Sequence, residues 1–192
     1  MNELLPSVPG RILLLVSPSD ALETLFDRVA LLALQGPLYV LDGGNAFQGY
    51  ALSRALHRRA AAAPEGASAA AAAAMQRVML SRAFTCYQMA TLLTEETFAP
   101  QPVLVLDFLA TFYDQTVHQR ERRRLLKICI RRLEAMSRAY PVAVWVRQRS
   151  SIPEDALSFL DLLKNAAGRV WTPRLPPRPV PQERQLSLFP LS

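Results

Sequence analysis

A series of short apolar segments, separated by segments with helical spacing, constrains the fold of this chain more than any other feature of its sequence. The apolar segments have the composition of strands that are buried on both faces of a parallel sheet. The predicted strands are residues 11–16, 38–42, 77–80, 102–107, 142–146 and 168–171. The predicted helices are residues 21–35, 50–59, 85–94, 120–139 and 156–167. This alternation predicts an α/β fold, with a mostly parallel central sheet and helices on both faces.

Two stretches of biased composition interrupt this alternation. Residues 60–74 are mostly alanine and predict two short surface helices, separated by a loop at Pro64. Residues 173–184 are rich in proline, which predicts an extended, disordered linker outside the core. The sequence therefore predicts one domain over residues 1–172, a linker over 173–184 and a short tail over 185–192.

The composition excludes several classes of protein. Of 192 residues, 51% are hydrophobic and 20% are charged, which excludes a largely disordered chain. No segment is long and apolar enough for a membrane span, and the first residues lack the basic region of a secretory signal, so we expect a cytoplasmic, nucleoid-associated protein without membrane contact. Two cysteines and two histidines without ligand spacing predict no metal site. The net charge of +6 favours an anionic partner.

Polar residues follow three of the predicted strands. Ser17, Ser19 and Asp20 follow the first strand, Asp42 and Gly44 lie at the end of the second, and Asp107 ends the fourth. Because ligands of parallel sheets bind at the carboxyl ends of the strands, these positions are the candidates for a ligand site.

Four segments of the chain resemble the ATPase core of the RecA/RadA strand-exchange recombinases over roughly residues 10–172. They are Tyr39-Val40-Leu41-Asp42 with Phe47, Ser81-Arg82-Ala83-Phe84-Thr85, Val103-Leu104-Val105-Leu106-Asp107 and Pro141-Val142-Ala143-Val144-Trp145-Val146. They occur in the order of that family and with similar spacing. The resemblance implies a RecA-like sheet and a nucleotide site at its carboxyl edge.

The phosphate-binding loop that the resemblance implies is degenerate in this sequence. The family places a glycine-rich loop ending in Gly-Lys-Ser/Thr after the first strand, where backbone N–H groups and a lysine hold phosphates. Here Ser17, Ser19 and Asp20 occupy that place, and Pro18 removes one N–H donor. The family's catalytic carboxylate aligns with Gly44. We therefore expect no ATP hydrolysis, no catalytic residue and no cofactor.

Asp107 aligns with the family's metal-side aspartate, but it has no nucleotide to serve here. The plainer interpretation is that it caps the following turn. The alternative is that the protein is an enzyme, namely an NTPase with an altered phosphate site that uses Asp42 and Asp107.

The tail contains a match to the bacterial sliding-clamp-binding peptide, Gln-Leu-Ser/Asp-Leu-Phe. The matching residues are Gln185, Leu186, Ser187, Leu188 and Phe189. Such a peptide anchors its apolar side chains in a preformed pocket while the glutamine amide makes directional hydrogen bonds. The alternative is that the tail folds back on its own domain as an edge strand or a hydrophobic plug.

Recombinases contact single-stranded DNA through two loops that follow the fourth and fifth strands. The corresponding segments here are residues 111–124 and 147–154. Their candidate phosphate contacts are Arg120, Arg122, Arg123, Arg124, Arg147 and Arg149. The alternative is that Arg123, Lys127, Arg131 and Arg138 form one solvated helix face.

Together these features predict a catalytically inactive RecA-like adaptor in bacterial DNA repair, recombination or translesion synthesis. It would bind the sliding clamp and a polymerase or other repair protein, with single-stranded DNA as a further partner. This role is similar to that of the RecA-like accessory protein of bacterial mutagenesis cassettes. The rival to be tested, besides the NTPase, is a DNA-binding module that does not use the clamp.

Overall fold

The computed structural model describes residues 10–18, 22–61, 66–95 and 99–172 of the chain. Six strands and six α-helices are assigned within these ranges. They are β1 (Ile12–Ser17), α1 (Leu22–Gln35), β2 (Leu38–Asp42), α2 (Gly49–Ala60), α3 (Ala67–Gln76), β3 (Val78–Arg82), α4 (Cys86–Glu95), β4 (Val103–Leu106), α5 (Gln119–Ala139), β5 (Val142–Arg147), α6 (Leu157–Ala166) and β6 (Ala167–Trp171). Short 3-10 turns follow β4 at Phe108–Phe112 and precede α6 at Glu154–Ala156.

The six strands form one sheet in the order β3-β2-β4-β5-β1-β6, and every pairing is parallel. In a parallel sheet all carboxyl ends lie at the same edge, so the residues that follow β1, β2, β4 and β5 lie side by side. The register places Asp42 beside both Arg82 of β3 and Leu106 of β4. β3 and β6 are the two outer strands.

Alternation along the strands divides the core into two layers. Ile12 and Leu14 of β1 pack in one layer with residues of α4, α5 and α6. Leu13 and Leu15 pack in the other, with residues of α1, α2 and α3. The helices therefore cover both faces of the sheet, which confirms the predicted fold class.

The bounds of most elements agree with the prediction to within two residues. The alanine-rich helix α3 lies at the surface as expected, with most of its residues exposed, and it buries Ala71 and Ala74 in the second core layer. Their small side chains let α3 lie close to its neighbours. The loop around Pro64 and the segments 173–184 and 185–192 lie outside the described residues. No described helix has the length and apolar content needed to cross a membrane.

Candidate functional site at the carboxyl edge of the sheet

Asp42, the last residue of β2, holds the turn that follows it. Its carboxylate is 1% exposed and accepts hydrogen bonds from the backbone N–H groups of Ala46 at 2.8 Å and Phe47 at 3.0 Å, with a longer one from Gly44 at 3.3 Å. The Arg82 Nε atom lies 3.5 Å from the same carboxylate. Both oxygens of Asp42 are thus engaged within the protein, as in other turns that begin with aspartate.

Asp107 follows β4 and is fully buried in the left-handed backbone region, with φ 44° and ψ 48°. Aspartate is one of the few residues that enter this region readily. Its backbone carbonyl accepts the Ala110 N–H at 2.9 Å, but its side chain makes no capping hydrogen bond to the 3-10 turn. The expectation that the carboxylate caps this turn is therefore wrong.

The Asp107 carboxylate instead lies against the end of β5. One oxygen accepts the backbone N–H of Arg147 at 3.3 Å, and the other lies 3.1 Å from Arg147 Nε and 3.0 Å from Arg149 Nη2. Arg147 Nε is buried without an aligned hydrogen bond, so its contact with Asp107 is ionic. Two guanidinium groups thus surround the aspartate that the family resemblance places beside a metal ion.

Gly44 shows why no carboxylate stands at the position that aligns with the family's catalytic carboxylate. A Cβ atom at this glycine would overlap the side chain of Asp107, lying 2.6 Å from its Cγ atom. A real Cβ essentially never approaches another atom so closely. The position that aligns with the family's catalytic carboxylate therefore has no room for a side chain, because the Asp107 carboxylate fills that space.

Two aromatic rings hold the arginines of this cluster. The Arg149 guanidinium lies 5.6 Å from the ring centroid of Tyr113, and that of Arg147 lies 5.7 Å from Trp145. Burial raises the pKa of Tyr113 to about 12, so its phenol stays neutral beside the pair. The side chains of Arg147 and Arg149 keep 27% and 34% of their surface exposed, which leaves part of each guanidinium open to solvent.

The end of β1 is also built from internal contacts. The Ser17 hydroxyl, on a residue only 3% exposed, accepts a hydrogen bond from Trp145 Nε1 at 2.7 Å. The Ser17 carbonyl accepts the Gln148 N–H at 2.8 Å. Ser19 and Asp20, the other candidate residues after this strand, lie outside the described residues. Lys127 and Lys164 lie on α5 and α6 rather than beside β1.

The four arginines predicted in a loop after β4 lie in the first turns of α5. Arg122 is 1% exposed, donates to the Phe112 carbonyl at 3.0 Å and pairs with Asp155. Its burial removes it from the candidate contacts for DNA phosphates. Arg124 makes two 2.7 Å hydrogen bonds to Glu121, and Arg123 donates to the Ser158 hydroxyl at 3.2 Å. Arg120 is exposed.

The sequence did not predict which residues contact the side chains of Asp42, Arg122 and Arg149. Arg82, Asp155 and Tyr113 come from distant parts of the chain. The strand order brings Arg82 to Asp42, and the packing of α5 against the turn before α6 brings Asp155 to Arg122. A correct strand order would have predicted that Asp42 lies beside Arg82, because the two residues end adjacent parallel strands.

The described residues offer no other site chemistry. They contain no group of three or more His, Cys, Asp or Glu side chains arranged to hold a metal ion. Both cysteines are buried, and burial raises the pKa of Cys129 to about 12, which leaves no reactive thiolate near neutral pH. The clamp-motif residues 185–189 lie outside the described residues, so they remain a prediction.

Comparison with known proteins supports the fold. No protein-family model matches the sequence, and no curated protein matches it. Among solved structures, the chain is similar to the crystal structure of the RadB recombinase, with a TM-score of 0.58 and 15% sequence identity. The match covers 86% of this chain and 74% of the RadB chain. The chain therefore has a RecA-like fold.

Proposed function

We propose that this protein is a RecA-like adaptor of bacterial DNA repair, recombination or translesion synthesis, which binds the sliding clamp through residues 185–189 and performs no nucleotide chemistry. The observation that carries the proposal is the state of Asp107. Its carboxylate fills the space beside Gly44 and is paired with Arg147 and Arg149.

This arrangement opposes the chemistry of an ATPase in three ways. A metal-side carboxylate must face its cation, but Asp107 faces two cationic side chains already. A water-activating carboxylate needs a side chain where Gly44 has no room for one. The segment after β1 begins with Pro18, where an ATPase of this fold has a glycine-rich loop of backbone N–H donors. The carboxylate oxygens of Asp42 and Asp107 already have partners within the protein, which favours the adaptor over an NTPase built on these two residues.

Clamp binding rests on the sequence motif and its setting. Leu188 and Phe189 follow a proline-rich segment, which favours an extended spacer between the motif and the domain. Burying these two side chains in a pocket would contribute about 1.5–3 kcal/mol each before ordering costs, so Leu186 and the hydrogen bonds of Gln185 would have to supply the rest of a micromolar affinity. A polymerase or other repair protein would be the second partner of the adaptor.

The test is the affinity of the full chain for a purified bacterial sliding clamp. We expect binding that is lost from a chain ending at Arg184 and from the Phe189→Ala variant, and retained in a Ser192→Ala control. Equal binding by the full chain and the chain ending at Arg184 would contradict the proposal. Titration with Mg²⁺ and ATP provides the second arm, because submicromolar ATP affinity would support the NTPase instead.

Single-stranded DNA is a separate partner to be tested on the same protein. Of the six candidate arginines only Arg122 is buried, so the remaining phosphate candidates are Arg120, Arg123, Arg124, Arg147 and Arg149. If DNA binds there, affinity falls with salt and falls again in the Arg120→Ala variant, while the tail truncation has no effect.

A further inference from the structure

The outer strand β3 carries an apolar surface that nothing in the described structure covers. Seven large hydrophobic side chains are exposed among the described residues, and four of them lie within nine positions of one another. These four, Met79, Leu80, Phe84 and Tyr87, are called the β3 patch below, and their exposures run from 38% to 68%. Met79 and Leu80 are consecutive in the strand, so they lie on opposite faces of β3, and exposed apolar side chains border its outer edge on both faces. Several exposed apolar side chains around one strand indicate an interaction surface, whereas single exposed hydrophobic residues are ordinary.

The outer edge of β3 is also open for strand pairing. β3 pairs with β2 on its inner side, and it is the last strand of the sheet on the other. Proteins protect such edges with lysine, proline or a bulge, because unpaired N–H and C=O groups recruit another strand. Only the last residue of β3 is charged, and that residue, Arg82, is paired with Asp42. Residues 78–81 contain neither a charge nor a proline, and their pairing with β2 is regular. The edge is therefore suited to an added strand with apolar side chains.

The tail of this chain can reach that edge. β6 ends at Trp171 on the opposite side of the sheet, five strand spacings or about 24 Å from β3. The 13 residues 172–184 span about 40 Å when extended in the conformation that prolines favour. Since β6 ends at the carboxyl edge, a tail crossing the sheet meets the Arg82 end of β3 first and would run antiparallel to it.

The pattern of the tail also fits a strand on this edge. In an extended chain Leu186 and Leu188 lie on one face, and Ser187 and Phe189 lie on the other. Leu80 and Met79 offer apolar surface on the two faces of β3. Pro190 follows Phe189 and would end the pairing, because proline has no N–H to donate.

We propose that residues 185–189 pair with the outer edge of β3 when the clamp is absent, so that the β3 patch and the clamp compete for the same segment. The proposal rests on the proposed function, since the regulated event is clamp binding. Leu188 and Phe189 cannot pack on the β3 patch and in a clamp pocket at once. A segment tethered to its own domain has an effective concentration of about 1 mM at the β3 edge. If the untethered segment bound that edge with a Kd of about 0.1 mM, the tethered segment would be bound to it about 90% of the time.

The experiment compares clamp affinity in two matched edge variants of the full chain. Leu80→Lys places a charge on the β3 edge, where Leu80 is 38% exposed, and Val170→Lys does the same on β6, where Val170 is 45% exposed. We expect Leu80→Lys to raise clamp affinity about tenfold, to the affinity of a synthetic peptide of residues 185–192. Val170→Lys is expected to leave the affinity within twofold. Met79→Lys repeats the test if Leu80→Lys unfolds the protein.

Other results separate this proposal from the proposed function. If the free peptide does not bind the clamp, the proposed function fails. The pairing of residues 185–189 with β3 is then tested by the hydrogen-exchange rates of the β3 amides alone. We then expect the β3 amides to exchange faster in the chain ending at Arg184 than in the full chain. Equal exchange in both chains would overturn the pairing, as would clamp affinity in the full chain equal to that of the free peptide. A concentration-dependent dimer that Leu80→Lys dissociates would show that a second copy covers the edge.

Discussion

Two regions of the sheet differ in whether their side chains and backbone groups have partners within the described structure. At the carboxyl ends of β4 and β5, the buried Asp107 carboxylate is engaged by the side chains of Arg147 and Arg149 and by a backbone N–H. At the outer edge of β3, apolar side chains and backbone groups have no cover in the described structure. The first region is closed by its own contacts, whereas the second is open to a partner.

This difference has a physical reason. Buried polar groups must be satisfied, so a buried carboxylate needs hydrogen-bond donors or cations beside it. Asp107 has two such cations, which makes it part of the framework that joins β4 to β5. The β3 patch has no such partners among the described residues, and it is the surface for which we propose a binding role.

The largest expected effect comes from removing the carboxylate at the centre of the closed region. Asp107→Ala leaves Arg147 and Arg149 without their counter-charge, and we expect a loss of about 3 kcal/mol in the free energy of unfolding. Chemical denaturation measures this loss. The matched control is Asp27→Ala, which removes an exposed pair with Arg58 and is expected to cost less than about 1 kcal/mol. Similar costs for the two variants would mean that Asp107 is not a structural anchor.

A smaller effect is expected from adding one methyl group beside that carboxylate. Gly44→Ala must displace the Asp107 side chain, and we expect a cost of about 1–3 kcal/mol. Gly36→Ala is the control, because a Cβ there meets no atom within 4 Å. In the double variant with Asp107→Gly, which removes the Asp107 Cβ atom as well, the overlap with that side chain disappears, so the costs of the two single variants should not add. Additive costs would show that Gly44 and Asp107 do not share the same space.

The sequence predicted the fold well because the fold depends on local patterns. Each apolar run and each helical spacing lies within about 20 residues. The contacts of the site depend instead on the order of strands in the sheet. Asp107 was expected to cap its own turn, yet its partners lie 40 and 42 residues away on β5 and beyond. Arg122 was expected at the surface, yet it pairs with Asp155, 33 residues away.

The smallest expected effect belongs to the open region. Phe84 is 68% exposed, although its backbone N–H donates to the Gln88 side chain at 2.8 Å and so is fixed at the start of α4. Its ring therefore contributes little to folding, and we expect Phe84→Ala to change the free energy of unfolding by less than about 0.5 kcal/mol. Phe108→Ala, in a fully buried ring, is the control with an expected cost of about 3–5 kcal/mol. A cost above 1 kcal/mol for Phe84→Ala would mean that its ring is packed in the folded protein, and that the β3 edge is less open than its exposure indicates.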